Sequence, residues 1–152
     1  MNMRNRFKIF RLVAIVMVLV LAMPMSVSAA VIEPVQPCAS YYLDSYNAFV
    51  YPAGSGKVQV WFSVTGVNYM DELGALTIQL YESTDNSTWE WVDAYTHDRT
   101  SGMLSYDDIY HSGHVEYQGV AGRYYKAYVC IWGGKDGDGD TRYFWTSTKL
   151  AT

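Results

Sequence analysis

Apolar and polar residues alternate in short runs along the chain after residue 40, and no run there has a period close to 3.6 residues. The clearest run is KVQVWFSVT, residues 57–65, in which Val58, Val60, Phe62 and Val64 share one face. Because successive side chains of a β-strand point to opposite faces, this pattern is typical of a strand with one buried face. The pattern therefore predicts an all-β protein.

Seven such runs lie between turns rich in Gly, Asp, Asn and Ser. They cover residues 42–51, 57–65, 75–81, 88–96, 114–120, 123–132 and 142–150. Seven strands in about 110 residues are typical of an antiparallel sandwich of immunoglobulin or fibronectin type III kind, in which a tyrosine near the sixth strand anchors a corner. A closed barrel is the alternative. The expected core contains Phe62, Leu76, Ile78, Leu80, Tyr125, Ala127, Val129, Ile131 and Phe144.

Three segments carry a resemblance to a known family: SYNAFVYPAGSGKVQVWFSVTG, LTIQLYESTDNSTWEWV and YHSGHVEYQGVAGRYYKAYVCIWGGKDGDGDTRYF. In these the chain resembles an uncharacterised family (a domain of unknown function) of small secreted proteins from Gram-positive gut bacteria. The resemblance covers nearly all of the chain after residue 30. It implies secretion and a β-rich domain, and it brings no activity, cofactor or catalytic residue with it.

The first thirty residues have the pattern of a secretory signal peptide. Basic residues between Arg4 and Arg11 precede an apolar run of 11 residues, LVAIVMVLVLA, and small residues follow at Val27-Ser28-Ala29. A membrane-spanning helix needs about 20 apolar residues, so cleavage after Ala29 or Ala30 is the interpretation that fits. We therefore expect a signal peptide at 1–30, an extended lead-in at 31–40, and one secreted domain at 41–152.

Removal of the signal peptide would change the charge of the protein. Of 11 basic and 15 acidic residues, the first thirty hold 4 basic and no acidic ones, which leaves a net charge of −8. An acidic protein repels phosphate backbones and anionic lipid, so neither nucleic acid nor a membrane is an expected partner after cleavage. The expected partner is an extracellular glycan or protein.

Both cysteines, Cys38 and Cys130, follow the signal peptide. An even number of cysteines in an oxidising compartment favours a disulfide bond, which would close a loop of about 92 residues and stabilise by about 4–5 kcal/mol on the chain-entropy model. Two free thiols are the alternative.

Aromatic residues supply the candidate binding site. The chain has 14 tyrosines and 5 tryptophans. The strand pattern places one set on the faces opposite the core, in strands that are neighbours in a fibronectin-like order, and Gln79, Lys126 and Arg142 flank them. An exposed aromatic stripe of this kind marks a binding surface, and flat rings suit the C–H faces of sugars. Rings that only stabilise the sheet, or that the N-terminal segment buries, are the alternative. The predicted ligand-binding residues are Tyr81, Tyr128, Trp132, Tyr143 and Trp145.

Two groups of polar residues are candidate metal ligands. Asp136, Asp138 and Asp140 alternate with glycine and predict a weak Ca²⁺ site, although Thr141 and Ser147 replace the Gly and Glu of an EF-hand loop. A solvated turn is the alternative. His111 and His114, with two aspartates upstream, lack a further ligand for a zinc or copper site.

Sequence signals of catalysis are lacking, since the chain has no G-x-S-x-G motif and its neighbouring acids read as loop residues. Ser83 to Trp89 predicts a hairpin turn. The sequence therefore predicts a non-catalytic, secreted module that binds a glycan or a surface protein through its aromatic face. The alternative is a structural protein that forms a homodimer through that face.

Overall fold

The computed structural model describes residues 40–152, so the predicted signal peptide and residues 31–39 of the lead-in lie outside the described residues. Its seven strands are all paired antiparallel, which confirms the all-β antiparallel class. The described part of the chain contains no helix long and apolar enough to span a membrane. The strands are β1 (Leu43–Gly54), β2 (Lys57–Ser83), β3 (Glu90–Thr96), β4 (Leu104–Gln118), β5 (Tyr124–Lys135), β6 (Asp138–Trp145) and β7 (Lys149–Leu150).

Strand β2 is the centre of the sheet. Its first half, residues 57–65, pairs with β1 on one side and with β4 on the other. Its second half, residues 72–83, pairs with β5, and on its other side with β3 and the start of β4. All seven strands therefore belong to one hydrogen-bonded sheet. An immunoglobulin or fibronectin type III sandwich is not confirmed.

The prediction of two separate strands at 57–65 and 75–81 is wrong, because β2 runs through both. The intervening residues contain Gly66, Asn68 and Gly74, which indicated a loop. Instead the backbone bends there, with a shift in the pairing to β4 between Thr65 and Met70. Met70 is buried at this bend, and its burial stabilises the extended backbone there. The polar residues around it had suggested a loop.

The buried faces of both halves of β2 share one core. Val58, Val60 and Phe62 from the first half belong to the same buried cluster as Ile78 and Leu80 from the second. The sheet curls so that Tyr46 of β1 and Phe144 of β6, with ring centroids 5.2 Å apart, approach each other across its open side. The predicted core is confirmed, with Phe144 packed half-buried against it, except for Leu76, which is not part of this cluster. That residue is half-buried, because the pairing of β2 with β5 shifts between Ala75 and Thr77.

Two further strand boundaries differ from the prediction. Strand β4 begins ten residues before the expected 114, because its first residues pair with the second half of β2. The expected last strand, 142–150, is divided into β6 and β7. Thr146 lies between them, where its backbone N–H donates to the carbonyl of Ala127 (2.9 Å) and its hydroxyl accepts from the Ala127 N–H (2.9 Å).

Tyr125 anchors the turn between β4 and β5, as the tyrosine-corner pattern predicts. Its ring is fully buried, and its hydroxyl accepts from the backbone N–H of Val120 (2.9 Å) and donates to Glu82 (2.9 Å). Arg123 pairs with the same carboxylate. This corner fixes the start of β5 and hence the strand that carries the centre of the candidate site.

Candidate functional site

Four of the five aromatic residues predicted to bind a ligand lie together on the outer face of the second half of the sheet. The pairing explains their proximity: Tyr128 of β5 lies opposite Gln79 of β2 and opposite Trp145 of β6. The Trp145 ring is 5.1 Å from the Tyr81 ring and 4.9 Å from the Tyr128 ring, and Tyr143 stacks on Tyr128 at 5.9 Å, measured between centroids. These contacts fix the rings relative to one another.

The ring cluster is open to solvent at the β6 edge of the sheet. Tyr143 is 61% exposed and Trp145 is 48% exposed, whereas Tyr81 and Tyr128 are half-buried. Strand β6 pairs only with β5 among the described residues, so its two rings stand at an edge. A ligand can therefore reach the cluster without any movement of the sheet.

Lys126 and Trp89 complete the cluster. The Nζ atom of Lys126 lies 4.1 Å from the centroid of the Trp89 ring and 4.5 Å from that of Trp145, so its ammonium is between two indoles. Trp89 immediately precedes β3. We call the rings of Tyr81, Trp89, Tyr128, Tyr143 and Trp145, together with the Lys126 ammonium, the aromatic face.

Polar groups border the aromatic face. The Tyr81 hydroxyl donates to the Gln79 side-chain carbonyl (3.1 Å). Trp91 lies opposite Tyr81 on β3 and is 59% exposed, so it extends the aromatic surface beyond β2. Arg142, expected to flank the rings, instead donates to the carbonyl of Thr141 and pairs with Asp140 at 3.8 Å.

Trp132 is separated from the other predicted binding residues. Its ring lies against Gly134 and Gly139, where an added Cβ would meet ring atoms at 2.6 and 2.4 Å. Its indole N–H donates to Glu72 (3.2 Å). It lines a cleft of 360 Å³ beside the hairpin between β5 and β6. The structure therefore places Trp132 at a different site, further along β5.

Cys130 lies beneath the aromatic face. It is buried between Thr77 of β2 and Tyr143 of β6, which are its neighbours in the pairing. Burial raises the pKa of the Cys130 thiol, and contact with the thiol raises the pKa of Tyr143. Cys130 is a free thiol in the structure, and its expected partner Cys38 lies outside the described residues, so the disulfide stays a prediction.

The structure does not bring the three aspartates of the β5–β6 hairpin together as a group of metal ligands, and the Ca²⁺ site stays a prediction. Asp140 accepts hydrogen bonds from the Ser40 hydroxyl and the Tyr41 N–H (3.1 Å), and the Ser40 contact lowers the pKa of its carboxyl group. Asp138 accepts from the Gly139 N–H (2.8 Å). Within residues 40–152 no group of three acidic, histidine or cysteine side chains is placed to hold a metal ion. Asp140 fixes the chain near Ser40.

The two histidines make unrelated contacts. His111 Nε2 lies 2.9 Å from the carbonyl of Gly102, and the His111 ring is 5.6 Å from that of Phe62. The His114 ring stacks on Trp61 at 4.3 Å, on a different part of β2 from the aromatic face. The histidines therefore contribute to packing at separate positions.

The sequence pattern identified four ring residues but did not identify Trp91 as a neighbour of Tyr81 or Trp89 as a neighbour of Lys126. Both lie within TWEWV, beside the predicted hairpin turn. The hairpin itself is confirmed, since β2 and β3 pair directly across the turn at residues 84–89. The distance in sequence from this turn could have indicated which residues of the next strand lie opposite Tyr81. The pairing shift between Leu80 and Tyr81 makes that count misleading.

Comparison with known proteins finds similarity among solved structures. No family model matches the chain, and no curated protein matches it. Among solved structures, the sporulation control protein Spo0M from Bacillus subtilis is similar over 67% of this chain, with 10% sequence identity and a TM-score of 0.39. The match spans 47% of the Spo0M chain, less than half of its length. A similarity of this extent supports no argument about function.

Proposed function

We propose that this chain is a secreted, non-catalytic module that binds a glycan through the aromatic face. The observation that carries the proposal is the cluster of five rings with one ammonium group against two of them, in which Tyr143 and Trp145 are open to solvent. Contiguous exposed apolar surface marks interaction sites on globular proteins. Ring faces of this size match the C–H faces of pyranose sugars.

The contacts within the face support binding without rearrangement. Tyr128 touches both Trp145 and Tyr143, so the two exposed rings are held by a half-buried one. Rings already fixed in position lose little rotational freedom when a ligand arrives, which favours affinity. Gln79 and the tyrosine hydroxyls supply hydrogen-bonding groups of the kind that sugar hydroxyls need.

Binding of polysaccharides in solution tests the proposal. The residue 31–152 protein is titrated with a panel of neutral and acidic polysaccharides while tryptophan fluorescence is recorded. Trp145→Ala should weaken binding at least tenfold, since truncation of an aromatic at the centre of a binding surface costs about 2 kcal/mol or more. Tyr106→Ala is the matched control, because Tyr106 is also exposed but lies on β4.

Equal loss in both variants, or no binding of any polysaccharide by the unmodified protein, would overturn the glycan proposal. Binding of a surface protein that depends on Trp145 but not on Tyr106 would replace the glycan with a protein partner at the same face. Measurements of polysaccharide and of protein binding with the same two variants therefore separate the two classes of ligand.

The position of β6 favours a second candidate function, self-association. An edge strand presents unpaired backbone groups that can pair with another copy of the chain, and Tyr143 and Trp145 would become buried in such a dimer. Analytical ultracentrifugation of the unmodified protein and of Tyr143→Lys tests it. A dimer that the lysine variant dissociates supports self-association, and a monomer at all concentrations contradicts it.

Export and the finer fold type belong to the same proposal. The residue pattern at 1–30 and the resemblance to a secreted family support export, which N-terminal sequencing of the secreted protein tests. The Tyr125 corner and the core shared by the two halves of β2 support an immunoglobulin-like sandwich. An experimental structure with two separate sheets would establish that type.

A further inference from the structure

We infer that the aromatic face selects glycans that carry a carboxylate over neutral ones, with the Lys126 ammonium as the group that recognises the acid. The inference rests on the proposed function and adds the class of sugar to it. Lys126 is central to the argument because its Nζ atom lies within 4.5 Å of two indole centroids, Trp89 and Trp145, on the surface proposed to take the ligand.

The Lys126 ammonium has no acidic partner in the described part of the chain. The ion pairs formed within residues 40–152 involve other basic side chains, and no hydrogen bond from Lys126 Nζ to a protein acceptor is present there. Glu82 follows Tyr81, the residue that pairs with Lys126, and its carboxylate binds Arg123 and Tyr125 instead. The three N–H donors of Lys126 therefore have no protein acceptor among the described residues.

Neutral groups surround this charge on the face. Lys126 lies opposite Tyr81 in the pairing, and the neighbouring outward positions are Gln79, Tyr128 and Trp145. The whole chain has a net charge of −4. A positive centre on an otherwise acidic chain would attract a single anionic group to this face and leave the rest of the surface unfavourable for it.

The two indoles strengthen the preference for an acid. A cation between aromatic rings is held by their electron-rich faces and is shielded from part of its water. A carboxylate that reaches it forms a charge-assisted hydrogen bond, which is about twice as strong as a neutral one. The rings of Tyr143 and Trp145 would then contact the sugar ring while Lys126 binds its carboxylate. A neutral sugar would use only the rings.

Matched acidic and neutral sugars test the inference without altering the protein. Isothermal titration compares galacturonate oligosaccharides with their methyl esters, and hyaluronan oligosaccharides with theirs, because each ester removes the charge and adds only a methyl group. At least one acid should bind tenfold or more tightly than its ester. Its affinity should fall as sodium chloride is raised, since salt screens exposed charges.

Variants assign the effect to Lys126. Lys126→Met should abolish the tenfold preference for the acid, and Lys126→Arg should retain most of it, because the positive charge is kept. Lys57→Met is the control, since Lys57 lies on the first half of β2 and pairs with Glu116. Thermal unfolding of each variant establishes that it is folded. If Lys126→Met does not fold, the comparison of acids with esters on the unmodified protein still tests the preference.

The outcomes separate this inference from the function on which it rests. Acids and esters bound equally, with loss on Trp145→Ala, would overturn the charge preference and leave the glycan proposal intact. A preference for acids that Lys57→Met removes as fully as Lys126→Met would also overturn it. Absence of binding to every member of the polysaccharide panel would overturn the proposed function, and this inference with it.

Discussion

The hydroxyl of Tyr125 joins parts of the chain that are far apart in sequence, since it accepts from Val120 and donates to Glu82. Tyr125→Phe keeps the buried ring and removes both hydrogen bonds, so it leaves the Glu82 carboxylate and the Val120 N–H short of a partner. We expect a loss of about 1–3 kcal/mol in the free energy of unfolding. Urea denaturation followed by tryptophan fluorescence measures it.

Tyr106→Phe serves as the control, because Tyr106 is 65% exposed and its hydroxyl has access to water. That variant should unfold within about 0.5 kcal/mol of the unmodified protein. If the two variants are equally stable, Tyr125 does not anchor the corner in the manner described.

Asp85 organises the turn between β2 and β3, and its carboxylate accepts from the backbone N–H groups of Ser87 and Thr88 (2.8 Å each). These bonds lower the pKa of Asp85 far below its ordinary value of 3.8. The group therefore contributes stability that is present above pH 3.8 and is lost as the pH falls through the lowered pKa. Acid should destabilise the protein partly through this turn.

Asp85→Asn tests that dependence on pH. The variant should be less stable at pH 7, and the difference from the unmodified protein should shrink between pH 4 and pH 2, as shown by urea midpoints at each pH. Asp44→Asn is the control, because Asp44 is an exposed residue of β1 outside this turn. A difference that is the same at every pH would contradict the role of the ionised carboxylate.

Strand β2 depends on a glycine after its bend. A Cβ added to Gly74 would lie 2.1 Å from the carbonyl oxygen of Met103 on the neighbouring segment. Gly74→Ala must therefore displace backbone, and we expect a loss of about 1–3 kcal/mol or more in the free energy of unfolding. Thermal and urea unfolding measure the loss.

Gly137→Ala is the comparison for Gly74→Ala. Gly137 has a φ of +81°, but an added Cβ would have no atom within 4 Å. Its variant should lose less stability than Gly74→Ala. The reverse order would show that the approach of the segment containing Met103 does not constrain β2.

At the level of strands, the sequence predicts the runs with regular alternation and fails where pairing shifts. The run 57–65 follows its pattern completely, with Val58 and Phe62 inward. Leu76 and Trp91 lie next to positions where the pairing shifts, so a count of alternate residues assigns their surroundings wrongly. Such shifts depend on contacts between strands and not on local composition.

In the candidate site, too, the residues on regularly paired strands were predicted and those placed by packing between distant segments were not. Tyr128, Tyr143 and Trp145 belong to two adjacent strands with regular pairing, so alternation and the expected neighbour order of the strands together predicted that they share one face. Lys126 was predicted to flank the rings, but its position between Trp89 and Trp145 depends on the packing of the turn before β3 against β5. Packing between segments distant in sequence is the part that the pattern does not contain.

For the whole molecule, the pairing of distant residues predicts slow folding. Lys57 pairs with Gln118, and Glu72 pairs with Gly134, so much of the sheet requires large loops to close before it gains contacts. Folding of such all-β chains takes milliseconds to seconds. Stopped-flow refolding of the reduced protein, followed by tryptophan fluorescence, should show a main phase in this range. A main phase below one millisecond would contradict it.

The continuity of β2 also bears on what happens if the chain is cut. Both halves of this strand contribute to the same core, so cleavage within residues 66–74 yields two fragments that each lack the partner of their own apolar face. Neither fragment has a complete interior, and each is complementary to the other. Co-expressed fragments should accordingly reassemble into one folded complex, whereas either fragment alone should aggregate or be degraded.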